Sequence, residues 1–188
     1  GMEYCKQMAE AVSTNLNIPQ ESVLVASTGI IGKHLPMDKI LWGIENLTPI
    51  LGNSPEDGTS AAEAIMTTDT RKKEIAIEFE IGGKAIVMGG MCKGSGMIHP
   101  NMCTMLGFIT TDISISKELL QEALCTNVQD TYNMISVDGD TSTNDTVLLL
   151  ADGMAGNPEI TEKNDDYYKF LEALNYINTY FSKRIAED

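Results

Sequence analysis

The run EIAIEFEIGGKAIVMGGM, residues 74–91, leaves the chain little freedom in how to fold. Ile75, Ile77, Phe79 and Ile81 alternate with Ala76, Glu78 and Glu80, so one side of this segment is apolar and the other charged or small. Gly82-Gly83 then supplies the two positive φ angles that a tight hairpin turn asks for. A β-ribbon with one apolar face must bury that face. At the far end of the chain Tyr167, Phe170, Leu171, Leu174, Ile177, Phe181 and Ile185 recur at helical spacing and form one continuous stripe, which also needs a partner surface.

The remaining elements are read the same way. Met8, Ala11, Val12 and Leu16 predict a helix over 2–17, and VLVAS, Val23–Ser27, predicts a short strand entering the turn TGIIG. Ile40, Leu41, Ile44 and Leu47 predict a helix in PMDKILWGIENLTPIL with Trp42 as a core residue, and SAAEAIMTT predicts a shorter one. Beyond the loop KGSGMIHPNMC come a strand at TMLGFITTD, a helix at SKELLQEALCTNVQD, strands at MISV and TVLLLAD, and the closing helix. Hairpins mixed with helices, without strict strand-helix alternation, imply an α+β architecture of sheet layers covered by helices. Length alone favours one domain over two.

Thirteen Lys and Arg stand against 27 Asp and Glu, giving a formal net charge of -14. A phosphate backbone or an anionic bilayer demands a basic face, so nucleic acid and membrane are poor partners; small molecules and other protein chains fit better. The four cysteines, Cys5, Cys92, Cys103 and Cys125, show no CxxC spacing, which argues against zinc and a disulfide framework and for a reduced, cytoplasmic setting. No apolar run approaches the roughly 20 residues that span a bilayer, and GMEYCKQMAE lacks the layout of a signal peptide.

Several residues could carry chemistry. Thr104 follows a glycine-rich, lysine-bearing loop, and a threonine hydroxyl becomes a nucleophile only beside a base. The bases available are His99, Lys93, or the threonine's own α-amine once the preceding peptide bond is cut; that amine has a reference pKa near ~8 and can accept a proton around neutrality. Gly94 and Gly96 flank Ser95 after Lys93, where backbone N–H groups could approach an anion. Thr28 and Gly29, after the expected strand, could act as oxyanion donors or simply cap the strand end. Asp138-Gly139-Asp140 has the look of a DxD phosphatase nucleophile with magnesium, but a tight Asp/Gly turn whose backbone is satisfied by its neighbours is the preferred reading. Asn164 followed by Asp165 and Asp166 marks a helix start.

Taken together, VLVASTGIIGKHLPMDKI, IMTTDT, MCKGSGMIHPNMCTMLGFITTD and SVDGDTSTNDTVLLLADG closely resemble the ornithine acetyltransferases, also called glutamate N-acetyltransferases, of arginine biosynthesis. The resemblance implies a DmpA-type αββα sandwich and a precursor that cuts its own Cys103–Thr104 bond. Residues 1–103 then belong to an α chain and 104–188 to a β chain that stay associated, in an oligomer. Cys103 stands where the family has alanine. The resemblance further implies Thr104 as nucleophile for self-cleavage and for taking acetyl from N2-acetylornithine, Thr28 and Gly29 as oxyanion hole, Thr70 and Lys93 as substrate-binding residues, and glutamate as acceptor. It implies no metal and no tightly bound cofactor, and some members also accept acetyl-CoA as donor.

Family members are about twice as long and continue past RIAED into a stretch that contributes a substrate-binding acid. Three readings follow: a central fragment of an acetyltransferase, a non-catalytic folded module of the same family, and, more distantly, a magnesium-dependent phosphatase using Asp138.

Overall fold

The structure, a computed structural model, describes residues 1–98 and 105–188. They fall into two compact units, Gly1–Gly58 and Thr59–Asp188, where length alone suggested one. In the first, helix α1 (Met2–Leu16) packs against α2 (Met37–Leu47), burying Met8 and Ala9. Asn17 ends α1 in the left-handed conformation at φ 53°, returning its N–H to Ser13, a stop that asparagine tolerates well. Two expectations fail in this unit. Val23–Ser27 forms no strand, because an extended segment becomes one only with a ladder partner and residues 1–58 contain no other strand. Trp42 is 67% exposed, and α2 contains no fully buried residue.

Helix α3 (Pro55–Ala64) begins five residues earlier than its apolar residues suggested. Ser54 and Asp57 cap each other: Asp57 N–H donates to Ser54 Oγ at 3.2 Å, and Ser54 N–H donates to Asp57 Oδ2 at 3.0 Å. Proline at the first helical position completes the start signal.

The second unit is an α+β layer pair. Strands β1 (Lys73–Ile81), β2 (Lys84–Lys93), β3 (Leu106–Thr111) and β4 (Thr146–Ala151) form one sheet in that spatial order. The first two neighbour pairs are antiparallel. The β3–β4 pair is parallel, so its connection must cross over; α4 (Lys117–Gln129) lies within it. The hairpin forms as read, Gly82 and Gly83 taking φ 56° and 73° and closing Ile81 onto Lys84. MISV is not a strand: Met134 closes a 3-10 turn and is 70% exposed, while Val137 gives its N–H to the Ile98 carbonyl at 2.7 Å.

Helix α5 (Asp165–Glu187) is the cover for the ribbon. Asn164 caps it, its side chain accepting the Tyr167 N–H at 3.0 Å, and Asp165 and Asp166 sit favourably against the helix dipole. Phe170, Leu174, Ile177, Phe181 and Ile185 are fully buried against the face made by Ile81, Ile86, Met88 and Cys92; Leu171 is only half-buried. Each such side chain contributes about 1.5–3 kcal/mol. Register explains how the helix comes so close: Ile75 is opposite Gly90, and a Cβ at Gly90 would lie 3.2 Å from the Phe181 ring and 2.6 Å from the Phe108 carbonyl oxygen. A satisfied polar chain joins the two helices, with Asn178 donating to Asn127 at 2.6 Å and the Tyr132 hydroxyl donating to Asn178 at 3.0 Å.

Candidate active site

The alternation that buries Ile81 and packs the half-buried Ile75, Ile77 and Phe79 against the core also turns Lys73 inward, opposite Cys92 at the end of the ribbon. An ammonium group there needs partners, and it has three, two carboxylates and, at 3.3 Å, the Arg71 carbonyl. Lys73 Nζ lies 2.8 Å from Asp69 Oδ1 and makes a short ion pair with Asp188 Oδ2; all three side chains are at most 2% exposed. Burial alone would push the Lys73 pKa down, but the two carboxylates outweigh it and hold it above its ordinary value. Burial likewise opposes ionisation of Asp69 and Asp188, and hydrogen bonds reverse the sign in both. Asp69 stays below the usual carboxylate range through Lys73 and the Gly94 and Thr67 amides, and Asp188 is held down to about 2 by Lys73 and Thr70.

Asp69 does more than neutralise Lys73. Its Oδ1 accepts the Gly94 N–H at 2.6 Å and its Oδ2 accepts the Thr67 N–H at 3.1 Å. The segment TTD therefore lies along KGS: Thr67 Oγ1 is 3.5 Å from Lys93 Nζ, Thr68 Oγ1 is 2.8 Å from Ser95 Oγ, and Asp69 holds Gly94. The Gly94 amide that could have faced an anion is spent on the Asp69 carboxylate. Lys93 is only 3% exposed, and burial pushes its pKa below the ordinary lysine value, partly offset by the charges of Asp69 and Asp145.

Lys93 pairs with Leu106, so residues 94–105 form the loop between β2 and β3. Both ends of that loop are tied to one polar segment. On the incoming side Asp138 accepts the amides of Met97 and, at 2.8 Å, Ile98, together with that of Asp140 at 3.2 Å. Those bonds hold its carboxyl below the usual range. They give Asp138 the turn-forming part, with its oxygens occupied by backbone, and leave the phosphatase reading without support. On the outgoing side Met105 N–H donates to Asp145 Oδ1 at 3.0 Å, and Thr146 N–H donates to the Met105 carbonyl at 3.2 Å. Burial pushes the Asp145 carboxyl up, and its Oδ2 is buried without a hydrogen-bond partner among the described residues.

The expected site residues are thus distributed unevenly. Thr104, Cys103 and His99 lie outside the described residues. Lys93 is the last residue of β2, ahead in sequence of the segment that contains them. Thr70 gives both its N–H, at 3.0 Å, and its hydroxyl to Asp188; the hydroxyl beside Lys93 belongs to Thr67. Thr28, half-buried, and Gly29, exposed, sit in the first unit within a segment of no regular secondary structure. Sequence reasoning missed Thr67, Asp69 and Asp145. The signal for the first two was the TTD triplet, whose residues cannot be ranked without knowing which one turns toward β2.

Comparison with known proteins bears on the whole chain. It is 53% identical over 188 residues to the arginine biosynthesis bifunctional protein ArgJ 1 of Clostridium acetobutylicum, and 51% identical to the arginine biosynthesis bifunctional protein ArgJ of Thermotoga neapolitana. All of this chain is covered in each case, against 46% and 47% of those proteins, so it spans about half the length of the curated relatives it matches. A crystal structure of the arginine biosynthesis bifunctional protein argJ from Bacillus halodurans is similar over 45% of this chain and 40% of its own, at 45% identity and a TM-score of 0.44. The ArgJ family model matches residues 1–188. Matched from its first residue to its last, and half identical to such relatives, the chain belongs to the ArgJ family.

Proposed function

We propose that the chain carries the nucleophile of a self-processing acetyltransferase of arginine biosynthesis, Thr104, which moves acetyl from N2-acetylornithine to glutamate. The arrangement that most supports this reading is the loop around Thr104. Aspartates hold both of its ends, and it opens on a buried lysine with a threonine hydroxyl 3.5 Å from its Nζ. The relatives' shared name, arginine biosynthesis bifunctional protein, supports the pathway.

In self-cleavage Thr104 Oγ attacks the Cys103 carbonyl carbon, the C–N bond breaks, and water hydrolyses the resulting ester to leave residues 1–103 and 104–188. The freed α-amine then accepts the Thr104 hydroxyl proton as Oγ attacks the acetyl carbonyl. The proton passes to the departing N2 of ornithine. The glutamate amine attacks the acetyl-threonine ester and releases Thr104 with its proton restored. Thr28 and Gly29 act as oxyanion donors, each worth about 3 kcal/mol in the transition state. Lys93 binds the substrate carboxylate with Thr67 beside it, and Thr70 serves this site indirectly by holding Asp188. Acetyl-CoA is a further donor. The associated chains work as an oligomer in the cytoplasm.

Incubating the protein with N2-acetylornithine and mapping its peptides tests this. The acetyl group is expected on the peptide that begins at Thr104 and on nothing in Thr104→Ala; acetyl on another residue, or turnover by the variant, overturns the reading.

A further inference from the structure

The buried carboxylate of Asp69 is not accounted for by any step above. It makes three contacts, and each reaches a different part of the site's support. Oδ2 takes the amide of Thr67, whose hydroxyl faces Lys93. Oδ1 takes the amide of Gly94, the residue directly after Lys93, and also the ammonium of Lys73. Gly94 itself sits at φ 152°, and a Cβ there would come within 3.2 Å of the Met105 Cβ, so the position after Lys93 has little room for a side chain. Lys73 continues the connection to Asp188 at the end of α5, which holds Thr70 in turn.

We infer that Asp69 is a positioning residue for the Thr67–Lys93 pair, fixing the backbone on both sides of it and setting the charge that the Lys93 ammonium meets. The inference rests on the proposed substrate-binding part of Lys93. A carboxylate suits this position better than an amide side chain, because both oxygens must accept. Asparagine has only one oxygen, and Lys73 and Gly94 both donate to the same side, so an asparagine oxygen turns there and its NH2 is left facing the Thr67 N–H. The charged groups acting on Lys93 are Asp69, Asp145 and Lys73, of which the first two favour the ammonium and the third opposes it.

Nuclear magnetic resonance on the full chain labelled with 15N tests this without any turnover. In the wild type the Gly94 and Thr67 amide shifts follow one common acid titration below the usual carboxylate range; amides that ignore that titration overturn the inference. In Asp69→Asn, Gly94 amide exchange stays within roughly 3-fold of wild type while Thr67 exchange accelerates at least roughly 10-fold. The Lys93 Nζ titration, assigned with Lys93→Arg, moves to lower pH. An unmoved Lys93 titration leaves Asp69 as scaffold only and overturns the inference. Should Asp69→Asn not fold, the wild-type titration decides. Absence of acetyl on Thr104 would refute the acetyltransferase reading while leaving all of these shifts intact, so the two failures are distinguishable.

Discussion

Lys73 shows how a single residue can be costly and stabilising at once. Buried between Asp69 and Asp188, it is satisfied only as a member of the triad. Lys73→Met strands two buried carboxylates and is expected to lower stability by about 3–5 kcal/mol in urea unfolding. The pH dependence has two limbs. Asp188 is depressed to about 2, so its contribution is present above the ordinary carboxylate value and disappears as pH falls toward that folded value. Lys73 is raised, so its contribution is complete below the ordinary lysine value and is lost as pH climbs through the higher folded one. Unfolding curves from pH 7 downward should show the acid limb in the wild type and a weaker one in Asp188→Asn. On the proposed acetyl-transfer reading, Lys93→Met is expected to raise KM for N2-acetylornithine at least about 10-fold, with kcat changed less. The place of Lys93 before the glycine-bearing segment can be read from the sequence, whereas the substrate-binding part proposed for it comes from the family resemblance. The place of Thr67 cannot, because the choice among Thr67, Thr68 and Thr70 is made by where Asp69 finds its donors.

At the level of elements, local periodicity could be read directly and pairing could not. The β1–β2 hairpin and α5 carry their instructions within themselves, through alternation, a Gly-Gly turn and a seven-residue stripe, and both form as expected. Val23–Ser27 and Met134–Val137 have the composition of strands but no neighbour to pair with, so their backbone groups turn to loops instead. At Gly90 the sheet leaves no room for a side chain beneath the helix. Gly90→Ala places a methyl 2.6 Å from the Phe108 carbonyl oxygen and 3.2 Å from Phe181, and is expected to cost about 1–3 kcal/mol by the same unfolding measurement. An unchanged midpoint would mean that α5 sits farther from the sheet than described.

The whole chain is two units, and the α+β layering expected from the sequence is realised in the second. The first holds the lone tryptophan, read from the sequence as core yet 67% exposed; composition marks a residue as able to be buried but cannot say what covers it. Its fluorescence should therefore be water-like and readily quenched by acrylamide, and a blue, protected emission would mean that another surface covers α2. The central claim concerns the bond between Cys103 and Thr104, and the intact mass of the purified chain tests it most directly. Two polypeptides of residues 1–103 and 104–188 are expected from the wild type and one uncut chain from Thr104→Ala; a wild type that stays whole, or a variant that still divides there, contradicts the account.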